Sequence, residues 1–230
     1  MKFSKILSIV LATLAVGLRA HPTTPFNDIQ HVPQDISSGT LDSASDIERR
    51  ANHDETDRFK KTQKGLGKQK LQLGKSYSFK VTWTSGAAGS TTKTTYPIQR
   101  EMKKTQQEYG FDHTAIVVGE VVKIKQGEVF KLDFKGRMYH LRADLEGSGQ
   151  RAWYRTSVEG VEWEPKDPKD SKGSPKTMKY LHLKEVDGKW SEKAAHANTA
   201  ATKVSDNNGN KWQGKRNDCE EYVKAFEKAL

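Results

Sequence analysis

The first strong pattern in the chain is a two-residue alternation of apolar and polar side chains between positions 77 and 83. Its apolar members are Tyr77, Phe79, Val81 and Trp83. Because successive side chains of a strand point to opposite faces of a sheet, this spacing predicts a half-buried β-strand. Further along, Pro97 begins a polar segment that is predicted to form a short helix ending near Tyr109.

After Gly110 the sequence contains several short apolar runs at close spacing, separated by glycines. They lie at 114–118, 121–125, 128–134 and 138–143, with glycine at 119, 127 and 136. This punctuation predicts a series of short strands, to which segments 152–158 and 180–186 add two more. Asp187 and Gly188 then predict a hairpin-type turn.

The C-terminal part of the chain has helical character. Segment 191–203 is rich in alanine, and Val223, Phe226 and Leu230 would share one face of a final helix. Together with the strands, these segments predict an α+β fold in which an antiparallel sheet is flanked by helices.

The N-terminus has the pattern of a secretory signal peptide. Lys2 and Lys5 precede a nearly continuous apolar run over positions 6–16, and Ala20 offers a small residue before a cut. The run is too short to cross a bilayer, and no other segment approaches that length. We therefore expect residues 1–20 to be a signal peptide, the protein to be secreted, and the chain to have no transmembrane segment.

Residues 21–50 are predicted to be a disordered propeptide. Proline and small polar residues are frequent there and show little periodicity. The segment ends in Glu48-Arg49-Arg50, a dibasic pair of the kind that late-secretory proteases cut, and it is similar to fungal secreted precursors. The alternative is a simple disordered linker. Residues 51–75 are predicted to be a basic flexible arm, and residues 76–230 a single α+β domain.

Charge and cysteine content narrow the choice of compartment. The chain has 39 basic and 29 acidic residues, a net charge of +10, and a single cysteine. One cysteine excludes an internal disulfide, although small secreted domains often depend on disulfides. Two explanations stay open. The protein acts in the reducing cytoplasm of another cell, or its thiol has to stay free.

The cysteine, Cys219, lies where the final helix is predicted to begin. Asn217 and Asp218 precede it as capping residues. A thiol in the first turn of a helix is close to the positive end of the helix dipole, which lowers its pKa and favours the nucleophilic thiolate. The alternative is a small buried apolar residue without chemical function.

Two histidines have positions that suit them as partners of this thiol. His113 opens an apolar strand that ends at Gly119, and His140 lies within a later strand. A thiol nucleophile needs a base, and the base needs a third group to hold its tautomer. Adjacent strands would place the two imidazoles side by side, facing the start of the last helix. The alternative is that both histidines are structural.

Three segments together resemble the lecithin retinol acyltransferase family, whose members are circularly permuted relatives of papain-like thiol enzymes. The segments are His113-Thr-Ala-Ile-Val-Val-Gly119, then Tyr139-His140-Leu141, then Asn217-Asp-Cys219-Glu-Glu-Tyr-Val223. The chain departs from the family in having the extra Asp218, in having Glu221 where the family has a second helix histidine, and in a wider gap between the histidines.

The resemblance implies a permuted papain-like fold and a cysteine-dependent reaction without a cofactor. Cys219 would be the nucleophile, His113 the general base, and His140 the group that orients it. The reaction would be hydrolysis or acyl transfer through a thioester, on an ester, amide or isopeptide bond. Export, free thiol and positive charge together suggest a fungal effector that acts on a substrate in a host cytoplasm.

The competing class is a non-catalytic secreted effector or binding protein. Five tryptophans interleaved with lysines could bind nucleic acid or an anionic surface. The sequence contains no nucleic-acid motif, no zinc spacing and no phosphate-binding loop. We expect a monomer in either case. The substrate is not predicted by the sequence.

Overall fold

The computed structural model describes residues 54–84, 96–165, 177–207 and 209–230, all of which belong to a compact unit formed by residues 51–230. The predicted signal peptide and propeptide, with Ala20, Arg49 and Arg50, lie outside the described residues.

The described part of the chain contains six strands and four α-helices. The strands are β1 (Asp54–Glu55), β2 (Ser76–Thr84), β3 (His113–Gln126), β4 (Val129–Glu146), β5 (Trp153–Glu162) and β6 (Thr177–Glu185). The helices are α1 (Asp57–Leu66), α2 (Pro97–Tyr109), α3 (Trp190–Asp206) and α4 (Cys219–Ala229). The α+β class predicted from the sequence is confirmed, as are the strand at β2 and helices α2, α3 and α4.

The sheet is built around the long β3–β4 hairpin. Its order is β1-β4-β3-β2-β6, and β5 pairs with the second half of β4. All of these pairs are antiparallel except the short one between β1 and β4. The sheet is thus mostly antiparallel, and the helices flank it.

Two glycines that were expected to separate strands instead lie inside them. Gly119 is in β3 and faces Gly136 in β4. A Cβ atom on Gly119 would lie 2.5 Å from the Cα atom of Gly136, so the glycines permit a close approach of the two backbones. The prediction of four short strands is therefore wrong for this region, which forms two long strands.

Hydrophobic clusters cover both faces of the sheet. Helices α3 and α4 pack on the face that carries Ile116, Val118 and Leu141. The opposite face carries Val117 and other apolar residues that pack against α1 and Trp163. Strand β2 is consequently buried on both sides, and the prediction that it is half-buried is wrong.

The predicted flexible arm is structured between Asp54 and Leu71. In α1, the apolar or uncharged side chains Phe59, Thr62 and Leu66 are buried at helical spacing, and Leu71 follows them into the same cluster. The lysines between these positions give the segment its polar composition and obscure the stripe. The prediction of a flexible arm is therefore wrong here.

Polar contacts hold α1 against the sheet. The Thr56 side chain caps the helix by accepting from the N–H of Phe59 at 3.1 Å. Arg58 forms an ion pair with the buried carboxylate of Asp133. This ion pair and a Thr56 hydroxyl that donates to the same carboxylate at 2.7 Å offset burial and keep the pKa of Asp133 below its usual value.

No helix among the described residues is long enough and apolar enough to span a membrane.

Replacing Phe59 by alanine tests the structural role of α1. The ring is 3% exposed, so Phe59→Ala should lower the free energy of unfolding by about 3–5 kcal/mol. Lys60→Ala, at the exposed neighbouring position, should change it by less than about 0.5 kcal/mol. Urea unfolding measures both variants, and an unchanged midpoint for Phe59→Ala would restore the flexible-arm interpretation.

Candidate functional site

The candidate site lies where β3 and β4 separate. The ladder between them ends at the pair Ile116 and Tyr139, and β4 continues beyond it with β5 as its partner. A cavity of about 180 Å³ occupies this fork. Its lining includes residues from α2, both strands, two loops and the start of α4, namely Met102, Tyr109, Phe111, His113, Leu141, Ala143, Trp212, Asp218 and Cys219.

The structure joins the two predicted histidines by a hydrogen bond across the fork. His113 Nε2 lies 2.9 Å from His140 Nδ1, and the rings are nearly perpendicular. On the other side of His140, Nε2 lies 3.4 Å from a carboxylate oxygen of Glu159. If that carboxylate fixes the proton on His140 Nε2, then His113 Nε2 is the donor of the pair. The lone pair of His113 is then on Nδ1.

Burial keeps both imidazoles neutral. Burial first, and then the nearby His140 and Arg142, lower the pKa of His113 to about 3. Burial also lowers the pKa of His140, although the Glu159 carboxylate opposes this shift. Trp83 stacks on the His113 ring with centroids 5.2 Å apart and helps to exclude water. At neutral pH His113 is therefore an unprotonated base.

The predicted nucleophile is the first residue of α4, and the loop before it is tightly held. Asp218 Oδ1 caps the helix by accepting from the N–H groups of Glu220 and Glu221, each at 3.0 Å. Asp218 Oδ2 accepts from the Tyr109 hydroxyl at 2.8 Å. Asn217 is 1% exposed and bonds to the backbone of the preceding loop through both side-chain atoms.

The prediction that the helix start lowers the pKa of the Cys219 thiol is wrong. Burial is the main cause and the adjacent Asp218 carboxylate a smaller one; together they raise the pKa of Cys219 to about 12. The backbone N–H of Thr114 bonds to the sulphur and opposes these shifts. The Asp218 carboxylate that caps the helix thus opposes the lowering of the thiol pKa by the helix dipole. Desolvation of the thiol outweighs the part of that lowering that is left. Cys219 is a protonated thiol at neutral pH.

Cys219 and His113 both line the cavity, but they belong to opposite faces of the sheet. Trp83 packs against the cluster on the face opposite α4, and its stacking on His113 places that ring on the same face. Cys219 begins a helix that packs on the other face. Among the described residues, no hydrogen bond joins the Cys219 sulphur to either imidazole. The structure thus brings the two histidines together and the thiol near them, without connecting the three.

Several residues around the site were not identified from the sequence. Trp83 and Glu159 contact the histidines, and Tyr109 contacts Asp218. Lys80 Nζ lies 2.6 Å from Glu220 Oε2 in a largely buried ion pair one residue beyond Cys219. These residues come from β2, α2 and β5, and only the long-range pairing of those elements brings them to the site.

No group of three or more histidine, cysteine, aspartate or glutamate side chains within the described ranges could hold a metal ion.

The chain matches no known protein-family model, no curated protein and no solved structure.

The pH dependence of alkylation tests the state of the thiol. With a pKa of about 12, the rate of reaction of Cys219 with iodoacetamide in the folded protein should keep rising up to pH 10. Asp218→Asn keeps a helix cap but removes the charge, so it should lower the pKa and raise the rate at pH 9. Asp187→Asn, at an exposed position, is the matched control. A plateau near pH 8.5 in the unchanged protein would contradict the buried thiol.

Proposed function

We propose that the protein is a cysteine-dependent hydrolase or acyltransferase that acts through a thioester. The observation that carries this proposal is the shared cavity, which is lined by the only cysteine and by a neutral, hydrogen-bonded histidine. A permuted papain-like arrangement, with the histidine strands before the cysteine helix in the chain, is part of the same proposal.

In the proposed reaction, Nδ1 of His113 accepts the thiol proton while the Cys219 sulphur adds to the acyl carbon. The resulting oxyanion collapses, the bond to the leaving oxygen or nitrogen breaks, and His113 returns the proton to that atom. Water or another nucleophile then attacks the thioester while His113 takes its proton. The C–S bond breaks, and His113 returns the proton to the sulphur to regenerate the thiol. His140 is a positioning residue because it holds Nε2 of His113.

The backbone at the start of α4 would stabilise the oxyanion. Asp218 uses the N–H groups of Glu220 and Glu221 for capping, and the N–H of Cys219 lies beside its own sulphur. A backbone N–H at a helix N-terminus is a suitable donor to developing negative charge.

The pKa values require proton transfer to accompany bond formation. A thiol with a pKa of about 12 does not ionise spontaneously towards an imidazole with a pKa of about 3. The resting protein is therefore not a thiolate–imidazolium pair. Substrate binding has to bring the sulphur and Nδ1 into contact, at the fork where β4 has already left β3.

The second candidate is a non-catalytic basic binding protein in which Cys219 only fills space. The observation that favours it is the missing hydrogen bond between the thiol and the imidazoles. The two candidates differ in one property, because only the enzyme forms a covalent acyl intermediate at Cys219.

Acylation by p-nitrophenyl acetate separates the two candidates. Intact-mass measurement should show one acetyl group on Cys219 in the wild-type protein and none in Cys219→Ser. His113→Ala should slow acylation by about 100-fold or more, as expected for loss of a general base. His182→Ala is the control and should leave the rate unchanged, because His182 is an exposed residue of β6 that does not line the cavity.

Two results would reject the enzyme. Acylation at equal rates in the wild type and His113→Ala would exclude His113 as the base. No adduct and no ester hydrolysis above background, in variants whose circular dichroism shows a normal fold, would leave the binding protein as the better account.

We also propose that the protein is secreted, cut after Arg50 and active in a host cytoplasm as an effector. A free thiol is preserved in a reducing compartment, and the dibasic pair follows a segment of propeptide composition. N-terminal sequencing of secreted material should give Ala51 as the first residue, and Arg50→Ala should prevent that cut. A mature protein that begins at His21 would contradict the processing proposal.

A further inference from the structure

The β3–β4 hairpin extends beyond its neighbours and exposes apolar side chains at its end. We call residues 122–132 the hairpin tip. Strand β2 pairs with β3 only as far as Glu120, and β1 contributes just two pairs to β4, so one edge of the tip is open. Val129 is 46% exposed and Phe130 is 55% exposed, more than any other large apolar residue in the described part of the chain.

Lysines surround these apolar side chains. The hairpin tip contains Lys123, Lys125 and Lys131 but only one acidic residue, Glu128. None of the three lysines forms an ion pair with a described residue. The ammonium group of Lys123, an exposed residue, lies over the Phe130 ring at 5.9 Å from its centre, so a positive charge is next to the exposed aromatic side chain.

We propose that the hairpin tip inserts into the headgroup layer of an anionic membrane. Val129 and Phe130 would enter the boundary between headgroups and acyl chains, and the three lysines would contact anionic headgroups around them. An exposed aromatic side chain with surrounding unpaired lysines fits this interface, because apolar burial and electrostatic attraction then act at the same depth. This inference concerns a surface that does not depend on Cys219 or on the proposed reaction.

A membrane fits the tip better than a protein strand that would pair with its open edge. Lys123 and Lys125 lie on the unpaired part of β3, and charged residues on an edge strand oppose the addition of another strand. Insertion into a bilayer does not require hydrogen bonds to the open strand edge, and an anionic bilayer presents many negative charges to the lysines.

Vesicle sedimentation tests the proposal with the full protein. Wild-type protein should bind vesicles of phosphatidylcholine with about 30% phosphatidylserine at about 0.1 M salt, and should bind pure phosphatidylcholine at least about tenfold more weakly. The double variant Val129→Ser/Phe130→Ser should lose about tenfold or more of the binding to phosphatidylserine vesicles. Lys123→Gln/Lys125→Gln should weaken that binding and reduce its dependence on salt.

The matched control removes two other exposed apolar side chains. Leu145→Ser/Leu181→Ser changes residues that are 39% and 38% exposed but lie outside the hairpin tip, and it should bind like the wild type. The four side chains replaced in the tip variant and the control variant are all exposed. Circular dichroism and unfolding midpoints of both variants should therefore stay close to those of the wild type. The proposal would be overturned if the wild-type protein bound phosphatidylserine vesicles no better than phosphatidylcholine vesicles. It would also be overturned if the tip variant and the control variant lost equal amounts of vesicle binding.

Discussion

The architecture is built on the long β3–β4 hairpin, and that hairpin depends on the close contact between Gly119 and Gly136. Their backbones approach so closely that a Cβ atom on Gly119 would lie 2.5 Å from the Cα atom of Gly136 and from the carbonyl oxygen of Lys135. The observed register of β3 against β4 therefore requires glycine at both positions. A slip by one residue would exchange the two faces of β3 and turn Ile116 and Val118 away from the helices they pack against.

The same register positions the candidate site. It sets Ile116 and Tyr139 as the last pair, so the N–H of Thr114 lies beyond the ladder and bonds to the Cys219 sulphur. The fork also encloses His113 between Trp83 and His140, away from water. The packing that encloses the cavity also buries Cys219 and His113. This burial is the main reason why the thiol stays protonated and the imidazole stays neutral. Packing and protonation state cannot be separated at this site.

The sequence predicted features whose signals are local. Alternation at β2, the proline that begins α2 and the apolar stripe of α4 correspond to elements that the structure contains. The pairing of His113 with His140 follows from adjacent strands and was anticipated as a juxtaposition. Helix α1 was missed because lysines surround its stripe, and the long strands were missed because glycine usually interrupts a strand. The predicted direction of the Cys219 pKa shift was wrong because the shift depends on burial and on the Asp218 charge, and the burial of the thiol is set by tertiary packing.

The two ends of the β3–β4 hairpin serve different proposed roles, and their separation constrains how the roles combine. Strand β3 has 14 residues, so the fork at His113 and the hairpin tip at Gln126 are about 40 Å apart for an extended strand. A bilayer that holds the tip of an upright hairpin would leave Cys219 far outside its headgroup layer. A membrane-bound enzyme of this geometry would therefore reach acyl groups presented in solution or on neighbouring proteins, and it would not act on the lipids that hold it. Membrane binding would then set where the reaction occurs, while the cavity at the fork would set what reacts.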